Sequence, residues 1–203
     1  MVENIHWLGH ASFKITGEKI VYIDPWKLKD GEPADIILIT HNHYDHLSPE
    51  DVAKIATDRT WIVTTGDAAK KLSGNIKTIK PGDSIIVEGI KIEAVPAYNV
   101  NKNFHPKANN WVGFIVTINN KRIYHSGDCD FMPEMKNIKA DIVLMPVGGT
   151  YTMTAEEAAN AVNTINPEVA IPMHYDDIVG SKADAEKFKN FCKSPVVIKT
   201  PEN

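Results

Sequence analysis

The feature that most restricts what this chain can fold into is His41-Asn42-His43-Tyr44-Asp45-His46, which stands directly after the apolar run Ile36-Ile37-Leu38-Ile39-Thr40. A short apolar run of that kind, ending in polar residues, reads as a buried strand. In extended backbone alternate side chains share a face, so His41 and His43 project together where the strand ends and can share a metal ion. Asp45 and His46 follow as the chain turns toward Ser48-Pro49, and a carboxylate beside an imidazole suits a second divalent ion close by. The rival reading is a polar loop whose histidines cap the helix that follows. Four potential ligands in six residues favour the metal.

Around this cluster the chain alternates strands with a few helices. Strands are expected over 5–8, 11–15, 20–24, 36–40, 61–64, 76–79, 84–87, 90–95, 111–118 and 122–125. Ser48 and Pro49 open a helix with Val52, Ile55 and Ala56 on its apolar stripe, a short helix is expected around 67–72, and Asn119-Asn120 suits a hairpin turn. Later come a strand over 141–145, a helix over 154–165, a strand over 168–172, a helix over 182–191 and a strand over 196–199. Thr154 and Glu157 have capping-box spacing, with Ala155, Ala158, Ala159 and Val162 on the buried face of that helix. This order suggests two sheets packed together with helices outside, in one domain over 1–203. The segment 96–110 breaks the pattern, being long, polar and without period, and such loops are usually functional or disordered.

Composition narrows the partners. A chain of 203 residues, 43% hydrophobic, is long enough to bury a core without staples. Its net charge of -4 provides no basic footprint for a phosphate backbone, so no nucleic-acid partner is expected. No apolar run reaches membrane-spanning length, and residues 1–9 carry acidic Glu3 and no basic start of the kind a signal peptide shows. Cys129 and Cys192 lie far apart with no partner motif, which suits a reducing compartment. The expectation is a cytoplasmic protein with no membrane partner; the sequence sets no oligomeric state.

Thr40-His41-Asn42-His43-Tyr44-Asp45-His46 resembles the His-x-His-x-Asp-His signature of the metallo-β-lactamase superfamily. The likeness extends, in the same order, through Ile23-Asp24, Ser126-Gly127-Asp128 and His174. Trp7-Leu8-Gly9-His10 and Gly148-Gly149-Thr150-Tyr151-Thr152-Met153 most resemble the branch of small metal-dependent hydrolases related to ascorbate-6-phosphate lactonase. The resemblance implies an α+β fold, a four-layer αββα sandwich, with two divalent metal ions at one edge. His41, His43 and a third histidine would hold the first ion, Asp45, His46 and His174 the second, and Asp128 would bridge them. Asp24 would orient ligands through hydrogen bonds. The family commonly places the third histidine just after the strand ending in Pro96-Ala97, where this chain has Tyr98 and Asn99. The next histidine is His105, inside the irregular loop, and the expectation is that the loop folds back to supply it. The plain alternative is an exposed loop histidine.

A water or hydroxide bridging two divalent ions is a nucleophile near neutral pH and can attack an ester, lactone, amide or phosphoester. A small-molecule substrate is therefore expected, with lactones and phosphoesters leading. Zn2+ leads among the ions, with Mn2+, Ni2+ or Fe compatible with the same donors. Asp45 and Asp128 belong to the catalytic machinery in this reading. His10 is either a substrate contact or proton donor, or a half-buried strand histidine. No Gly-x-Ser-x-Gly elbow argues for a nucleophilic serine. Two rival classes share the superfamily. An iron-dependent oxidoreductase would carry an acidic residue in place of His43, and a metal-dependent nuclease would carry a basic extension missing here. His6 and His125 read as structural, Cys129 as a buried thiol, Asp83 and Asp130 as turn residues, and Asp176 and Asp177 as loop residues. Tyr98, Tyr151 and Tyr175 are rim donors or packing residues.

Overall fold

A computed structural model describes residues 1–202. The first sheet runs in chain order through β1 (Ile5–Gly9), β2 (Ser12–Ile15), β3 (Val21–Ile23), β4 (Ile36–Ile39), β5 (Trp61–Thr64) and β6 (Asn75–Thr78). The second comprises β7 (Ser84–Val87), β8 (Ile90–Pro96), β9 (Val112–Ile118), β10 (Lys121–His125), β11 (Ile142–Pro146) and β12 (Val169–Met173), again with neighbours in sequence paired. Both sheets are mixed: β1 to β3 and β7 to β10 are antiparallel, while β3 to β6 and β10 to β12 are parallel. Among the described residues there are three α-helices: α1 (Pro49–Ile55), α2 (Ala155–Ile165) and α3 (Lys182–Phe191).

The burial of β4 shows how the layers arise. Ile36 and Leu38 join a core with Phe13 and Ile23 from the first sheet and Ile92, Phe114 and Val116 from the second. Ile37 and Ile39 point the other way, into a smaller core with Val52 and Ile55 of α1. Period-two alternation of uniformly apolar residues thus places a sheet on one side of the strand and a helix on the other. On the second sheet α2 and α3 pack against each other and against β11 and β12. The result is the four-layer αββα sandwich. Among the described residues no helix is long and apolar enough to cross a membrane.

Local chemistry fixes several ends. Ser48 caps α1 by accepting the Asp51 amide at 3.2 Å, with Pro49 at its first position. Thr154 and Glu157 form the reciprocal capping box of α2. Asn119 and Asn120 both take left-handed backbone, φ 49° and 59°, as a tight turn between β9 and β10 requires. One expectation takes a tighter form and one is corrected. The helix around 67–72 is a single 3-10 turn, Ala68–Lys71. The strand over 196–199 does not form: Val196 makes one isolated parallel bridge to Ala170 of β12. The Ala170 amide donates to Pro195 and the Val197 amide to Ala170, but the next ladder bond would need an amide hydrogen on Pro172, which proline lacks.

The parallel pairings position the site. β3 and β4 run side by side, so Asp24 and Thr40-His41 leave the first sheet at the same edge. β10 to β12 do the same for Ser126-Gly127-Asp128 and His174 in the second. Two backbone hydrogen bonds join this rim: the Val112 amide donates to Thr40 at 3.2 Å and the His174 amide to His10 at 2.8 Å.

Candidate metal centre

His41, His43, Asp45, His46, His105, Asp128, His174 and His10 all converge at that rim. Three groups of ligand atoms lie within 4.8 Å of one another: His41, His43 and His105; His41, His46 and Asp128; and His10, Asp45, His46 and His174. His105, at 1% exposure, does lie inward, with its ring 5.2 Å from that of His41 and 5.1 Å from that of His43. The two Asp128 oxygens face different neighbours. Oδ1 is 3.3 Å from His46 Nε2, while Oδ2 is 3.2 Å from His105 Nε2 and 3.1 Å from His174 Nε2.

The outward nitrogens of three histidines are tied down. Asp24 accepts from the Thr40 amide at 2.8 Å, from Thr40 Oγ1 at 2.7 Å and from His46 Nδ1 at 2.7 Å. Thr40 Oγ1, its own proton spent on Asp24, lies 3.0 Å from His41 Nδ1 and accepts from it. His105 Nδ1 donates to Asn99 Oδ1 at 3.1 Å. Each bond leaves the Nε2 lone pair of its histidine facing inward, the arrangement that metal-ligating imidazoles usually have. The nitrogens His46 Nε2, His105 Nε2 and His174 Nε2, and the oxygen Asp128 Oδ1, are buried with no hydrogen-bond partner. Buried polar atoms are rarely left so, and divalent cations would satisfy this set.

Electrostatics fit the same assignment. Burial would raise the Asp128 carboxyl, yet His174 and His46 beside it hold it well below the usual range. Burial works against charge on His46, but Asp128 and Asp24 together hold its imidazole well above the ordinary 6.5. Burial, with the charge on His46, pushes His41 far down. Burial opposes ionisation of Asp45, but the hydrogen bond from His10 at 2.9 Å takes it down to about 2. Burial lowers His10 against the pull of Asp45, so a neutral His10 donates to an ionised carboxylate.

A pH dependence follows. In the metal-free protein the proton on His46 stabilises the fold fully below about pH 6.5, and that contribution is lost as pH rises through the raised pKa. An incoming cation has to displace that proton, so metal affinity is expected to rise with pH over the same range. Calorimetric titration in buffers of different ionisation heat measures the proton released; release of none would contradict the assignment.

Backbone conformation is also particular to the rim. His10, Asp24 and His174 have φ of 49°, 47° and 58°, a left-handed region that residues with side chains seldom adopt and that concentrates at functional sites. Gly148 is required by close approach: a Cβ there would collide with the His174 carbonyl oxygen. Gly148→Ala is expected to displace His174 and weaken metal retention about tenfold, the order seen when ligand supports are removed; equilibrium dialysis against zinc reads this.

Not every expectation about individual residues fits the geometry. Asp130 is no turn residue. It is 3% exposed and binds the Val100 and Asn101 amides, Asn99 Nδ2 and Lys102 Nζ, anchoring the loop that carries His105. Its sequence neighbours gave no sign of this, since its partners lie about thirty residues earlier. His10 is buried and does not line the cavity beside the metal face, so a proton from it would have to pass through Asp45. Of the three tyrosines, Tyr151 lines the cavity, Tyr98 bonds Glu134, and Tyr175 stacks on Trp7 at 4.9 Å. His125 is a satisfied core histidine, 2.9 Å from the Ala11 carbonyl, and Cys129 is a buried thiol pushed up by burial.

An αββα sandwich with imidazoles and carboxylates gathered at one edge is the arrangement of the metallo-β-lactamase fold. The model of the β-lactamase superfamily domain matches residues 4–174, and the chain belongs to that superfamily. It is similar to the UPF0173 metal-dependent hydrolase of Thermoplasma acidophilum, 39% identical over 91% of this chain and 88% of the relative. The crystal structure of a metal-dependent hydrolase from Parabacteroides distasonis superposes with a TM-score of 0.87 at 34% identity, over 96% of this chain and 91% of that one. Igni18, a metallo hydrolase of Ignicoccus hospitalis, shares the fold at TM-score 0.80 and 23% identity, over 98% and 95% of the two chains.

Proposed function

We propose that this protein hydrolyses a small ester, lactone or phosphoester at a two-metal centre, as a single domain. His41, His43 and His105 would hold one divalent ion, zinc first among the candidates. Asp45, His46 and His174 would hold the other, and Asp128 would serve both. The observation that carries this reading is the Asp128 carboxylate, which lies 3.2 Å from His105 Nε2 of one proposed ligand set and 3.1 and 3.3 Å from His174 Nε2 and His46 Nε2 of the other, all three nitrogens being partnerless.

When bound, the ions would supply Lewis-acid polarisation of the attacked oxygen and lower the pKa of water enough to make it a nucleophile near neutral pH. The side chains supply the rest. Asp24, Thr40 and Asn99 fix the ring orientations before any ion arrives, which avoids reorganisation during turnover. Asp45, held ionised by His10, has an oxygen 3.7 Å from His46 Nε2 and lines the cavity, so it is placed to accept a hydrogen bond from an attacking water and orient it. His10 acts through Asp45 as a positioning residue. The resemblance of the segments around His10 and Tyr151 to the lactonase branch supports lactones among the substrates.

The test joins metal content to activity. Protein saturated with zinc and desalted is expected to retain two ions per chain and to hydrolyse simple aryl esters or lactones, with the activity lost to a chelator and restored by metal. Retention of a single ion, or hydrolysis indifferent to the chelator, would refute the proposal.

A further inference from the structure

Beyond its histidines and aspartates, the cavity of about 220 Å³ is walled by Tyr44, Phe104, Tyr151 and Ile178. Tyr44 is 67% exposed and Phe104 48%, two of the six large hydrophobic side chains that the described residues leave exposed. Phe104 meets Tyr151 edge to face, ring centroids 4.7 Å apart, so the wall is a mutually supported aromatic pair. Apolar side chains left in water and grouped at the mouth of a cavity mark a ligand surface.

Charge points the same way. Among the described residues no lysine or arginine lines this cavity. Lys27 is bound to Asp177 at 2.8 and 2.9 Å, Lys102 to Asp130 at 2.7 Å, and Lys107 to Glu134 at 3.0 Å. An anionic group remote from the scissile bond would therefore leave water on entering and meet no cation along these walls.

Building on the metal-centre reading above, we infer that the site takes a neutral ester, lactone or amide that carries an apolar or aromatic group, and not a phosphorylated sugar derivative. Phe104 and Ile178 are the specificity-determining side chains. Phe104 adjoins His105, so the loop anchored by Asp130 sets the apolar wall and the metal face together.

Three hydroxamates with one metal-binding head and different tails test this on zinc-loaded protein by calorimetric titration: acetohydroxamate, phenylacetohydroxamate and succinohydroxamate. Phenylacetohydroxamate is expected to bind at least about tenfold more tightly than acetohydroxamate, from burial of its ring, and the anionic tail of succinohydroxamate to confer no gain. Ile178→Ala, which lies outside the ligand-bearing loop, and Phe104→Ala are each expected to shrink that ratio several-fold. A ratio near one, or a preference for the anionic tail, overturns the inference and leaves the metal centre standing. Failure of all three to bind overturns the metal centre and this inference with it.

Discussion

Asp128→Ala is expected to abolish retention of both ions and to lower kcat/KM by at least about 10³-fold, because one carboxylate faces both ligand groups and metal-centred charge stabilisation supplies most of the rate. The fold should survive. Asp128 follows β10 at the rim, outside the two apolar cores, and of the imidazoles it meets, His46 is held from behind by Asp24 and His105 by Asn99. Atomic spectroscopy of the desalted variant, with circular dichroism as the check on folding, decides the matter. An unchanged spectrum with two ions and full turnover would remove Asp128 from its bridging position. Asp128→Asn sharpens the reading: it keeps the shape, loses the charge, and is expected to retain at most one ion weakly.

Asp130→Ala should have the second largest effect, and on two quantities at once. Removal of a buried carboxylate that neutralises Lys102 and binds two backbone amides costs about 3 kcal/mol, or roughly 6–12 °C in Tm for a chain of this size. The variant also removes one of the two acceptors of the Asn99 amide, the other being the Tyr151 carbonyl at 3.0 Å, and Asn99 is the residue that binds His105 Nδ1. The first ion should then be held about tenfold more weakly, although Asp130 touches no proposed ligand. Differential scanning calorimetry of the metal-free proteins, paired with zinc stoichiometry, separates the two effects. If Asp130→Ala melts early yet keeps the first ion as tightly as the parent, the loop reaches the centre without its anchor.

The part of this centre legible in sequence is the part built by strands. His41 and His43 announce themselves because a two-residue period continues past a run of isoleucines, and Asp128 and His174 because each follows an apolar run. The layers are legible for the same reason: uniformly apolar β4 has to be covered on both faces. What depends on contacts across the chain is not legible. Asp130 looks like a turn residue because its partners are loop amides about thirty positions earlier. His10 stands in a short turn, and nothing beside it tells that its imidazole meets Asp45 thirty-five residues on. Residues 196–199 have the composition of a strand, but whether a ladder continues depends on the neighbour, and that neighbour presents Pro172.

Left-handed backbone at His10, Asp24 and His174 has a corollary for attempts to harden the protein. Relief of each such conformer by glycine is worth about 1 kcal/mol in an ordinary turn. Here the imidazole or carboxylate is the reason the residue is present, so that gain is closed at the rim. It stays open at Glu88, φ 50°, in the turn joining β7 to β8, where the side chain holds no member of the centre. Selection for heat resistance would accordingly write its changes into the far turns and leave the metal edge as the most conformationally taxed stretch of the molecule.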